Sequence, residues 1–260
     1  MLFFRWGESA FVLLLFLVRS GIAQGPPITG DKPIMAGARS TTLRTLTEVR
    51  TTERGNFLRL PLEIDYLPVT DVWFGVEVPF VRRFGDEFAT PSKLGDVQLS
   101  GKYQFMRRDQ TGRTFRLVAK TAQRLPTGPD LNAEGVSMGR YMGYYGTIAG
   151  YESLKLGVAQ ELGFRHDPGG DMDELRYQLG FGLPLLQPTY PVKQVNLFFE
   201  YRSTWYPAAD EYLLLYAQGL QYARGRFTVE AAVQFPLIET RISGPRQRNY
   251  SVFLGTRYAF

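Results

Sequence analysis

The residue types that carry out catalysis or bind metals are scarce in this chain. Cysteine is absent, and histidine occurs once, at His166. A disulfide framework, a thiolate metal site and a histidine-based metal cluster therefore lack their ligands. A lipid hydrolase that pairs Ser with His would have to use His166 as its base. Its serine would need to sit at the same depth on an adjacent strand, and segments 144–152 and 174–185 contain none. The expectation is an exposed loop histidine, no catalytic residue, no metal and no cofactor.

The remaining candidates are carboxylates and cations that recur at every second position. In "FLRLPLEIDYL", Leu58, Leu60, Leu62, Ile64 and Tyr66 fall on one side; Arg59, Pro61, Glu63 and Asp65 fall on the other. Period two belongs to a β-strand, whereas a helix would scatter these residues around its circumference. "VWFGVEVPF", "GDVQLSGKYQF", "ELRYQLGFGLPL", "FTVEAAVQFPL" and the terminal "RNYSVFLGTRYAF" repeat the pattern. Weaker members lie at 42–50, 114–124, 144–152, 154–165, 195–206 and 212–222, for about twelve strands in all. The polar faces collect the bases Arg59, Lys102, Arg116, Lys120, Lys155, Arg165, Arg176, Arg202 and Arg257. They also collect the acids Glu63, Asp65, Glu77, Asp96, Glu161, Glu200 and Glu230.

Two uses for these charges stay open. Neighbouring strands can pair them into an ion ladder that fixes register, or they can line a polar conduit that selects solutes. Inward glycines at 157, 163, 180, 182 and 255 would leave space, and about twelve strands enclose more room than the ~8 that side chains fill.

The elements that must position these residues are those of a membrane barrel. Residues 1–23 have the layout of a secretory signal peptide: Arg5 first, an apolar run from Ala10 to Val18, then Gly21 and Ala23 at cleavage-site spacing. The run is too short to span a bilayer. No later apolar run approaches the length of a membrane helix, so a membrane-spanning mature chain would have to be a closed barrel. Removing Arg5, Glu8 and Arg19 lowers the formal charge from +5 to +4. The basic residues are scattered, so no nucleic-acid footprint forms. Several alternating runs are as long as a tilted membrane strand, about 9–11 residues. Tyr66, Phe80, Tyr103, Phe105, Trp205, Tyr206, Tyr222 and Tyr258 stand near strand ends, where aromatic girdles form. The expected fold is all-β: a transmembrane antiparallel up-and-down β-barrel over 42–260, preceded by a short periplasmic segment, 24–41.

Short links (68–70, 152–154, 223–226 and the somewhat longer "RRDQTGR" and "QPTYPVKQ") alternate with long ones (82–94, 125–142, 166–173, 238–247), as periplasmic turns and extracellular loops do. The links at 51–55 and 207–211 are short where parity asks for long. Segment 125–142 is either a cap folded into the mouth or a surface loop. A closed barrel pairs its last strand with its first, which explains a chain that stops on a strand. Tyr258 and Phe260 resemble the terminal signal recognised by the bacterial barrel-assembly machinery.

"LGDVQLSGKYQF" and "RLPTG" resemble two motifs of the outer-membrane transporters named after the meta-pathway of phenol degradation. The match covers Gly95, Asp96, Leu99, Lys102 and Tyr103, then Pro126, Thr127 and Gly128. The resemblance implies a channel-like barrel for small, often hydrophobic or aromatic compounds, and no catalytic residues. The expected protein is a channel or transporter in the bacterial outer membrane. Its partners are lipid, the assembly machinery during insertion and a small-molecule solute. A structural or adhesion barrel is the alternative, and the sequence fixes no oligomeric state.

Overall fold

Alternation leaves each strand one apolar side, and a closed sheet lets every such side face lipid together. The computed structural model describes residues 27–33, 38–53, 55–85, 89–133, 136–169, 172–186, 193–240 and 249–260. The expected signal peptide, with its cleavage near Ala23, lies outside them. Twelve long strands follow one another: β1 (Ser40–Thr52), β2 (Gly55–Val69), β3 (Val72–Phe84), β4 (Gln98–Gln110), β5 (Arg113–Arg124) and β6 (Met142–Ser153), then β7 (Gly157–His166), β8 (Glu174–Pro184), β9 (Lys193–Tyr206), β10 (Glu211–Arg224), β11 (Phe227–Thr240) and β12 (Tyr250–Ala259). Each pairs antiparallel with the next, and β12 pairs with β1 from Thr42↔Ala259 to Thr51↔Tyr250. The result is a closed antiparallel barrel of the outer-membrane type, with no free edge in its wall.

The strands run from 10 to 15 residues, long enough to cross hydrocarbon at a tilt. Leu60, Leu62, Ile64, Phe74, Val76, Leu99, Leu220, Val229 and Leu254 all face outward and are exposed. Glu48, Arg50, Glu161, Gln178, Glu200, Gln221, Glu230 and Gln234 face inward and are buried. Greasy residues therefore meet lipid while ionic ones fill the centre. At the end where β1 begins and β12 finishes, the links 70–71, 111–112, 154–156 and 225–226 are tight, and 185–192 is the longer member. Gly112 and Gly225 take positive φ there (73° and 59°), a conformation costly for other residues. The opposite end carries 85–97, 125–141, 167–173 and 241–249, with 53–54 and 207–210 as its short members.

Period two also corrects two of the expectations. Tyr206 is not a girdle residue: its neighbour Trp205 points out, so Tyr206 points in and is buried. Lys155 does not line the lumen, because β7 begins at Gly157 and Lys155 stands exposed in the turn. The other expected girdle residues, Tyr66, Phe80, Tyr103, Phe105, Trp205, Tyr222 and Tyr258, are exposed.

Candidate functional site

The lumen is organised around residues 27–33, which are not part of the wall. The sequence places this stretch in a periplasmic segment; it lies inside the barrel. Ile28 and Thr29 donate their backbone N–H groups to the Glu200 carboxylate, at 2.6 Å to Oε1 and 3.0 Å to Oε2, and the Thr29 hydroxyl donates to Oε2 at 2.5 Å. Arg44 Nη2 donates to the Ile28 carbonyl at 2.8 Å, and Arg202 Nη2 to the Thr29 carbonyl at 2.7 Å. Asp31 pairs with Lys102 through Oδ1 and with Lys120 through Oδ2 at 3.0 Å. Burial alone would raise the Asp31 pKa. The ammonium groups of Lys102 and Lys120 reverse this and hold the carboxyl well below its usual range.

Apolar contacts complete the seat. Ile28, 1% exposed, packs with Phe198, Ala232 and Phe253 on the inward faces of β9, β11 and β12. Wall glycines admit the segment. A Cβ on Gly219 would lie 2.5 Å from Ile28 Cδ1, and one on Gly150 would collide with Pro33. The space left by Gly180 is taken by Pro27, and that left by Gly182 by Phe198. These positions are sockets, not voids.

Among the described residues, two sizeable cavities lie in the lumen, one against the segment and one beyond it. One of about 290 Å³ faces the end where β1 begins and β12 finishes and is lined by Arg44, Asp65, Trp73, Lys102 and Arg257 together with Asp31 and Lys32. The other, about 120 Å³, lies toward the loop end. Residues 27–33 thus form a plug across the lumen, tied to β1, β4, β5 and β9.

The loop end is closed in part by 125–133 and 136–141, which fold inward as a cap. It contains a short hairpin, Asp130–Ala133 with Ser137–Met138. Leu131 and Val136 pack on the inward-facing Phe57 and Val81. The Asp96 carboxylate, 3% exposed, accepts the backbone N–H groups of Gly128 (3.0 Å), Met138 (2.7 Å) and Gly139 (3.1 Å). Thr127 Oγ1 donates to the Gly95 carbonyl at 3.0 Å and accepts from Val97 N–H at 2.9 Å. The motifs around Gly95–Asp96 and Pro126–Thr127–Gly128 are therefore two halves of one clasp. Gly128 is required by close approach, since its Cβ would stand 2.5 Å from the Gly95 backbone carbon.

The other expected lumen residues are distributed along the barrel. Lys102, Lys120, Glu200 and Arg202 hold the plug. Arg59 pairs with Glu77 on the loop side. Near the terminal end Glu230 bridges Arg44 (2.8 Å) and Arg257 (3.3 Å), and Glu63 stands 3.7 Å from Arg44. Arg176 pairs with Glu174, Asp65 lines the larger cavity, and Arg116 lies 3.9 Å from Asp109 near the terminal end. Asp96 precedes β4 and serves the clasp instead of facing open lumen. His166 is exposed at the loop end of β7, with Nδ1 3.1 Å from Asp173 Oδ1; opposite it on β6 is Gly143. Asp31, Arg44 and Tyr144 were not singled out by the sequence. One signal could have found the plug: Phe198 and Phe253 are large apolar residues on otherwise polar faces, and so require an internal partner.

The chain matches no protein-family model, and no curated protein matches it in sequence. Among solved structures it is similar in fold to the KdgM porin (TM-score 0.52, 11% identity, 84% of this chain and 99% of that one). It is equally similar to the NanC porin (TM-score 0.52, 13% identity, 83% and 98%). The beta domain of the Bordetella autotransporter BrkA gives a TM-score of 0.51 at 11% identity, over 85% and 99%. A likeness that spans porins and an autotransporter domain shows the barrel fold alone.

Proposed function

We propose that this protein is a plugged channel of the bacterial outer membrane, admitting small solutes when residues 27–33 leave the lumen. The observation that carries this reading is the attachment of the plug. Apart from the backbone that runs on from Pro33 to β1, it is held by hydrogen bonds, two lysine pairs and one buried isoleucine, and cavities lie toward both ends of the barrel. The sequence resemblance to the phenol meta-pathway transporters supports small hydrophobic or aromatic compounds as cargo. Tyr258 and Phe260 serve as the signal for barrel assembly in the same reading. The motifs named by that resemblance form the cap clasp, which ties it to a part of the molecule that controls access.

A second reading has its own support. Ion pairs and the plug fill much of the lumen, as a permanently closed structural barrel would require. Conductance in planar bilayers separates the two. The channel reading expects the mature chain to be mostly closed and a chain lacking residues 27–33 to conduct steadily. No conductance from the shortened, folded chain at any voltage would leave the structural barrel.

A further inference from the structure

The 120 Å³ cavity on the loop side of the plug has an unusual lining. Lys120, Arg124, Arg165 and Arg176 face it together with Gln98 and Tyr144, and among the described residues no carboxylate does. Period two places Lys120 and Arg124 on the same inward face of β5. Arg165 reaches in from β7, and Arg176 from β8.

The nearby carboxylates already have partners: Glu77 pairs with Arg59, and Asp96 accepts three backbone N–H groups of the cap. Glu174 takes both Arg165 (3.2 Å) and Arg176. Glu161 and Asp31 take Lys120, at 2.8 and 3.0 Å, while Asp31 also serves Lys102. Arg124 Nη1 is buried and has no hydrogen-bond partner among the described residues. A buried guanidinium nitrogen without an acceptor is costly, and an oxyanion in the cavity would supply one.

Tyr144 braces the wall. The Tyr144 hydroxyl donates to Glu161 Oε1 at 2.6 Å, and its ring lies beneath Lys120 Nζ (4.9 Å) and the Arg176 guanidinium (5.6 Å). A Cβ on Gly163 would collide with that hydroxyl, so the glycine is what lets the ring lie there. The volume is several times the ~10–15 Å³ that holds one water. It accommodates a carboxylate or phosphate group with its immediate hydration.

We infer that this cavity is a binding site for the oxyanion group of a small solute, with the Arg124 fork as its principal donor. The inference deepens the channel reading and rests on it for the solute's route through the membrane. Lys120 belongs to both the cavity and the plug seat, so an anion bound here competes with Asp31 for the same ammonium.

The test is isothermal titration of the full mature chain, folded in detergent, with inorganic phosphate and with malonate at constant ionic strength. Chloride serves as the screening control, and heat-modifiable migration verifies that each protein is folded. Saturable binding of an oxyanion, weakened about ten-fold in Arg124→Gln, is the expected result. Arg124→Lys, which keeps the charge and loses the fork, is the second variant and should weaken binding to an intermediate degree. Absence of saturable binding, binding matched by chloride, or equal affinity in folded variants would overturn the site. Conductance by a chain lacking 27–33 without oxyanion binding defeats the site and leaves the channel standing. Oxyanion binding without conductance in any form does the reverse.

Discussion

Replacing Glu200 by alanine should unseat the plug. The carboxylate accepts three hydrogen bonds from Ile28 and Thr29, and it is only 2% exposed. Hydrogen bonds to a charged group contribute about 1.5–3 kcal/mol each, so a simple sum would approach 4.5–9 kcal/mol. Two effects reduce it. The bonds share one acceptor and are not additive. Removing the carboxylate also relieves the cost of burying it, which those bonds and the nearby Arg202 only partly offset. A net loss of about 3 kcal/mol remains, or roughly 100-fold in the ratio of closed to open states. Glu200→Gln keeps one acceptor oxygen and should shift the ratio about ten-fold. Single-channel recording reads this ratio from dwell times. If the chain lacking 27–33 conducts steadily while Glu200→Ala stays as closed as the parent, Glu200 does not hold the plug. The energetic assignment would then be wrong.

Other perturbations address separate parts of the molecule. Asp96→Asn removes one acceptor from three backbone donors of the cap and should expose 125–141 to protease without unfolding the barrel, as read by limited proteolysis and heat-modifiable migration. Leu254, opposite Thr47 and Ala231 midway along β12, faces lipid; Leu254→Arg should cost about 2–4 kcal/mol in reversible folding into vesicles. Lys32 lies in the plug, where burial first and Arg257 second push its ammonium down to about 8 from an ordinary 10.5, with Lys102 adding to the push and Glu152 and Asp31 opposing it. Between those values the seated plug binds fewer protons than the released one. Raising pH from 8 to 10 should therefore favour seating, and the open fraction should fall, an effect that Lys32→Met removes. Deleting Phe260 should lower the amount of assembled barrel in cells more than it lowers refolding in detergent, measured by outer-membrane fractionation.

The wall was legible in the sequence and its contents were not, for a physical reason. A run such as Leu58–Tyr66 carries its own evidence, because each side chain's direction follows from its neighbour's. The same rule exposes Tyr206 as inward once Trp205 is out, a step that position near a strand end obscured. The plug sequence "PITGDKP" has no period. Its place is set by partners such as Glu200, 172 positions from Ile28, and no local pattern encodes that contact. The clasp was half legible. Its motifs stood out individually, but the meeting of Asp96 with Met138 depends on how a long loop folds back. The charges on the polar faces were readable as a set, whereas their sorting into ion pairs, plug anchors and one cation-lined cavity needed three dimensions.

The seam between β1 and β12 joins the first strand to the last, with Phe260 N–H bonded to the Thr41 carbonyl at 2.9 Å. Until the final residues pair, the sheet is an open curl, and Pro27–Pro33 can be laid sideways onto its concave surface. Zipping the seam then turns a side-on docking into an enclosure. From that moment the wall's hydrogen bonds bar the way back, and the plug can leave only lengthwise, through one mouth of the finished tube.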